Sequence, residues 1–170
     1  CAPQGPFHLI VDATGALTID GKGPEKHLGA LDATRLMRSF QVNAIGPALL
    51  LKYFLPLLAK ERVIYAKLSA RVGSISDNSK GGWYGYRASK AALNQIIHGA
   101  AIELSRTHKG SICVALHPGT VATEFTAKYA GRHATVTPEE AASNLLSVIA
   151  ALTPSQSGGF FDYSGAEVPW

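Results

Sequence analysis

Apolar residues along this chain gather into four short runs, separated by longer stretches in which they recur every third or fourth position. Residues 8–14 (HLIVDAT), 62–69 (RVIYAKLS) and 111–117 (SICVALH) carry the β-branched, nearly unbroken apolar content of strands covered on both faces. Residues 158–164 (GGFFDYS) form a more mixed fourth strand. Helical spacing fills the intervals. Asp32 is placed to cap a helix running over residues 33–61, which Gly46 and Pro47 should bend or loosen just after Asn43. A second helix follows the stretch GGWYGYRASKAALNQ. Along it Ala92, Ile96, Gly99, Ala100 and Glu103 fall on one stripe, and Leu93, Ile97 and Leu104 on its neighbour. A third opens at Thr137, where Glu140 completes a capping box and Pro138 takes the first helical position.

Strand and helix in alternation predict a single α/β domain with a parallel sheet and helices on both faces. Such sheets bind ligands outside the carboxyl ends of their strands. In this chain those ends read DATG, SARVGS and HPGTVATEF.

Composition narrows the function. The chain has 170 residues, 46% hydrophobic and 16% charged, enough for one domain with a real core. Its net charge of +4 comes from sixteen scattered Lys and Arg, without the run or aromatic spacing of a nucleic-acid surface. The apolar run ALLLKYFLPLLA is broken by Lys52 and Pro56 and is too short to span a bilayer, and no signal-peptide pattern opens the chain. Two cysteines, Cys1 and Cys113, make no disulfide framework and point to a reducing, cytoplasmic setting. The six histidines show no metal-binding spacing, and no G-x-S-x-G elbow marks a hydrolase. Met37 is the sole methionine, and the opening CAPQGPFHLIVDATG runs almost at once into a strand, as the middle of a larger domain would.

The chemistry centres on Tyr86 and Lys90, one helical turn apart. A phenol with its usual pKa of about 10 exchanges protons poorly at neutral pH, and a fixed positive charge nearby is expected to lower it. Ser74, just beyond the second strand, offers a hydroxyl to hold a carbonyl oxygen at the same sheet edge, and Ser69 is the alternative. Each of these features taken singly has an ordinary structural reading as a turn or surface residue.

Together the motifs resemble the short-chain dehydrogenase/reductase family, single-domain Rossmann enzymes that move hydride between NAD(P)H and a carbonyl or alcohol. YRASK matches the family's Tyr-x-x-x-Lys, VNAIGP the segment with its helical Asn, and HPGTVATEF the Pro-Gly loop after the sixth strand. LSARVGSISDN and the terminal GGFFDYSGAEVPW are most similar to the C-factor-like and sniffer-like carbonyl reductases. The resemblance implies catalytic roles for Asn43, Ser74, Tyr86 and Lys90. It implies cofactor contacts at Gly15, Tyr86, Lys90, Pro118, Gly119, Val121 and Thr123, with NADP or NAD as cofactor and NADP favoured by the branch. It also implies a small carbonyl or alcohol substrate, no metal, and a homodimer or homotetramer. The family's usual serine column falls on Ala70, and its Asn-Asn-Ala-Gly turn reads Asp12-Ala13-Thr14-Gly15. The Gly-rich phosphate loop has no match among the glycines at 15, 21 and 23. Residues 1–170 are therefore expected to be the C-terminal portion of the domain, strands 4–7 of the family's order, without the first strands. Taken alone they are expected to be poorly soluble and to bind NAD(P)H negligibly. A non-catalytic member or fragment, serving in dimerisation or partner binding, is the rival reading.

Overall fold

The computed structural model describes residues 5–127 and 135–170. Four parallel strands, β1 (Leu9–Asp12), β2 (Ile64–Leu68), β3 (Ile112–His117) and β4 (Phe160–Asp162), lie side by side in chain order. Asp12 is the register partner of Lys67, and His117 of Asp162. The strands sit where the apolar runs predict, each trimmed by one to four residues. Two of the trims share a cause. The Asp12 carboxylate accepts the Thr14 N–H at 2.9 Å and its hydroxyl at 2.7 Å, and Asp162 does the same for Ser164 at 2.9 and 2.6 Å. Each aspartate thereby turns the chain out of the sheet.

The predicted long first helix is three pieces. Helix α1 (Ala33–Phe40) is capped by Asp32, whose side chain accepts the Arg35 N–H at 2.9 Å. A π turn over Gln41–Ile45 follows, closed by Gly46 N–H to the Gln41 carbonyl, and then α2 (Gly46–Phe54). Pro47 has no N–H to offer the Asn43 carbonyl, so the α ladder breaks at this point and Asn43 sits in the widened turn. Pro56 tightens the end into a 3₁₀ turn, Leu55–Leu57, which stops the helix short of residue 61.

Helix α3 (Tyr84–Thr107) and α4 (Pro138–Ala151) complete the layers. Thr137 caps α4, accepting the Glu140 N–H at 3.1 Å; this is one half of the expected capping box, and no return bond from the Thr137 N–H to the Glu140 side chain forms. Leu93, Ile97, Ala101 and Leu104 of α3 pack with Leu51 of α2 on Tyr65, Cys113, Ala115 and Phe160. On the opposite sheet face, Leu145, Val148 and Ile149 of α4 cover Ala66, Ile112, Val114 and Phe161. Two core layers result, with α1 to α3 on one side and α4 on the other. On β1, at the edge of this sheet, Leu9 and Val11 are exposed. Among the described residues no helix is long and apolar enough to cross a membrane.

Candidate active site

The carboxyl ends of β1 and β2 meet α3 at Lys90, in its second turn, and the start of that helix is made in an unusual way. Gly81, Gly82 and Trp83 all take left-handed backbone angles, with φ of 62°, 64° and 54°. For Trp83 this conformation is strained. Its side chain gives the helix no cap, and a carboxylate from a distant loop takes that part. Buried Glu25 accepts the Gly85 N–H at 3.0 Å, its own carbonyl accepts the Trp83 N–H, and Arg35 stands 3.7 Å from its other oxygen. A negative charge at a helix N-terminus is stabilising. Tyr86 is the next residue along.

Tyr86 is buried, edge-on to Trp83 with ring centres 6.2 Å apart. Lys90 is 3% exposed, and its ammonium lies 5.8 Å from the centre of the Tyr86 ring. It donates to the Leu68 carbonyl, at the end of β2, at 3.3 Å. Burial, reinforced by repulsion from Lys67 and partly offset by Asp12, brings the Lys90 ammonium down to about 7. Contrary to what the Lys90 spacing leads one to expect, the Tyr86 phenol is not lowered. Burial raises the Tyr86 phenol above its ordinary value, so Tyr86 is held as a neutral acid.

Asn43 is brought to the same place. Its side-chain oxygen accepts the Ala16 N–H at 2.8 Å and its nitrogen donates to the Ala16 carbonyl at 2.9 Å, clamping the turn that leaves β1. The Ser39 and Ser89 hydroxyls lie 3.4 and 3.3 Å from that nitrogen and 3.2 Å from each other, and Ser89 also donates to the Tyr86 carbonyl. Gly15 closes the group. A Cβ placed on it would stand 3.3 Å from both the Asn43 oxygen and the Lys90 nitrogen, and its φ of 153° is one that a side chain disfavours. Asn43, Lys90 and Gly15 thus border one small cradle.

Both candidate serines are buried on the adjoining turn. Ser69 donates to Asn94 Oδ1 at 2.6 Å, so its proton is committed. Ser74 accepts the Asp77 N–H at 3.1 Å, which leaves its own proton to give. Ser74 follows Gly73, where a Cβ would fall 2.9 Å from Lys90 Cβ, so this turn packs directly against α3. Arg71 pairs with Asp77 at 2.9 Å across the turn and reaches Asp162 at 3.7 Å. Beyond β3, Gly119 backs onto the Tyr163 ring. The hydrogen bonds around Val121 and Thr123 run to Val136 and Thr126.

One feature of the site escapes sequence reading altogether. Lys67, fully buried in the middle of β2, pairs with Asp12 at 2.9 Å and donates to the Thr14 carbonyl and hydroxyl at 2.6 and 3.0 Å. Tyr65 donates to the other Asp12 oxygen at 3.3 Å. Burial pushes the Asp12 carboxyl up, but the hydrogen bonds from Thr14 and Lys67 outweigh it and hold the group below its usual range.

Known proteins share this arrangement of strands and helices. The family described as enoyl-(acyl carrier protein) reductase matches residues 5–152. C-signal from Myxococcus xanthus is 37% identical over 169 residues, covering 98% of this chain and 94% of that protein. Carbonyl reductase Sniffer of D. melanogaster superposes with a TM-score of 0.83 at 27% identity, covering 98% of this chain and 67% of that one. An NADPH-bound carbonyl reductase from chicken fatty liver gives 0.82 at 25%, covering 99% and 68%. Other curated relatives are spanned to only 62% and 56% of their length. With its parallel Rossmann-like sheet and a family match over most of its length, the chain belongs to the short-chain dehydrogenase/reductase family of oxidoreductases.

Proposed function

We propose that this protein works as an NAD(P)-dependent oxidoreductase interconverting a carbonyl and an alcohol, with Tyr86 as the general acid and base. The observation that carries the reading is Lys90. An ammonium buried without an ion-pair partner among the described residues is costly, and a fold kept only for packing has no use for it. It borders the Gly15 turn, where the absence of a side chain leaves Lys90 and Asn43 open to the nicotinamide-ribose end of a dinucleotide in this reading. Gly15, Lys90, Pro118 and Gly119 would hold that end, and the cofactor supplies the hydride when bound. No strand-to-helix turn among the described residues has the Gly-rich spacing of a phosphate loop, so only the nicotinamide end is assigned to them.

In the reducing direction the neutral Tyr86 phenol gives its proton to the carbonyl oxygen, while the Ser74 hydroxyl donates to the same oxygen as negative charge builds on it. Lys90, close to half-charged at neutral pH, stabilises the phenolate left behind. Asn43 keeps the β1 turn in place and anchors the water through which Tyr86 regains its proton. NADP is the favoured cofactor, in keeping with the NADPH-bound chicken reductase. A cytoplasmic homodimer or homotetramer belongs to the same reading, supported by the buried free thiol of Cys113 and by Ile45, Leu49, Tyr53 and Ile102 exposed on α2, α3 and the π turn.

The test is turnover by the full-length protein on a panel of aldehydes and ketones with NADPH and with NADH, alongside calorimetric titration of both dinucleotides. We expect binding and turnover, both impaired by Lys90→Ala. An intact protein that binds neither dinucleotide and turns over nothing would leave the non-catalytic reading standing.

A further inference from the structure

The buried charges behind the cradle have no part in the scheme above. Lys67 and Asp12 are register partners on neighbouring parallel strands, so their side chains leave the sheet on the same face, toward α3. Each is almost wholly enclosed. A buried ion pair is a poor device for stability, because desolvation consumes most of what the attraction returns. This one is also attached to the site at two points. Lys67 grips the Thr14 carbonyl and hydroxyl, and Thr14 is joined to Gly15, which lies against Lys90 and Asn43.

We propose that the Asp12–Lys67 pair positions the residue 14–16 turn and sets the electrostatic field at Lys90. Two lysines enclosed on one side of a sheet repel through a low-dielectric interior, so Lys67 opposes the charge on Lys90. Asp12 tempers that opposition, and its 2.9 Å ion pair offsets part of the burial that lowers the Lys67 ammonium from its ordinary value. The other groups facing Lys90 are the neutral phenol of Tyr86 on α3 and the neutral amide of Asn43 on the π turn. Lys90 is thereby kept near its titration point, against the Gly15 turn. Both residues of the pair are positioning residues, acting through Lys90 and Gly15.

This inference rests on the role given to Lys90 above, and its test separates the two. Protein labelled at lysine Cε is titrated by NMR, with the Lys90 resonance assigned by its loss in Lys90→Arg. Lys67→Met removes the repulsion, and the Lys90 midpoint should rise by several tenths of a pH unit or more. Asp12→Asn/Lys67→Met removes both charges and avoids stranding either one in the core. The midpoint should rise there too, by less, and this variant decides the matter if the single one fails to fold. A Lys90 midpoint that is unmoved or lower in a folded variant overturns the inference. A midpoint that rises in a protein without turnover supports the inference and counts against the oxidoreductase reading alone. Where turnover is present, the pH limb of the rate profile assigned to Lys90 should move with the midpoint, and a purely structural pair would leave it in place.

Discussion

The Lys90 ammonium faces the Tyr86 ring at 5.8 Å from its centre, one turn further along the same helix. The distance is within the reach of a cation–π contact, so part of what holds the two side chains together belongs to the ring and only part to the hydroxyl.

Tyr86→Phe is therefore a clean substitution. It keeps the edge-on contact with Trp83 and the Lys90 contact and removes one oxygen. Turnover should fall by at least about 10²-fold. Thermal unfolding should barely move. Both are read on one preparation, by NADPH absorbance and by circular dichroism, and near wild-type turnover would take Tyr86 out of the mechanism.

The two serines separate by what their protons already do. Ser69 spends its proton on Asn94, and Ser74 keeps its own. Ser74→Ala should lower turnover by the order of ~10²-fold, as for loss of a preorganised donor. Ser69→Ala should mainly cost about 1 kcal/mol of stability, by leaving a buried amide oxygen unpaired. Steady-state kinetics and urea unfolding on both variants decide it. If Ser69→Ala proves the more damaging to turnover, the roles are reversed.

What was legible in the sequence follows from range. Alternating strands and helices, the Thr137 cap and the Tyr86/Lys90 spacing are local patterns, and each appears in the structure as read. Pro47 announces a break in the first helix, yet not that the break is a π turn cradling Asn43. Glu25 lies 60 positions along the chain from the Gly85 N–H that it accepts. Asp12 and Lys67 look like two unrelated charges until the register of β1 against β2 sets them side by side. The expected lowering of the Tyr86 pKa failed for the same reason, since the depth of burial is a property of the assembled layers.

Glu25 supplies a stability prediction. Glu25→Ala leaves the first turn of α3 uncapped and Arg35 without its carboxylate, and should cost about 2 kcal/mol. Glu25→Gln keeps an acceptor for Gly85 but loses the charge at the helix N-terminus, so it should cost about half as much. Urea unfolding gives both values. Equal losses in the two variants would show that charge, not the hydrogen bond, is what Glu25 contributes.

Lys90 should make the fold less stable than it could be, over a definite pH range. Its pKa falls from 10.5 in the unfolded chain to about 7 in the fold. Below about 7 both states hold the proton, and the whole cost of burying the charge is present, at most on the order of 5 kcal/mol. Between about 7 and 10.5 the unfolded chain binds the proton and the folded one does not, so this cost shrinks as pH rises and is gone above 10.5. Lys90→Met fills similar space without a charge to desolvate. It should unfold at a higher temperature than the wild type at pH 6, with the gap closing steadily toward pH 10, while losing turnover and cofactor affinity. Thermal unfolding of the two proteins in a series of buffers measures the gap. A constant difference across the series would mean that Lys90 stays charged in the fold throughout, with a partner for its charge in solution.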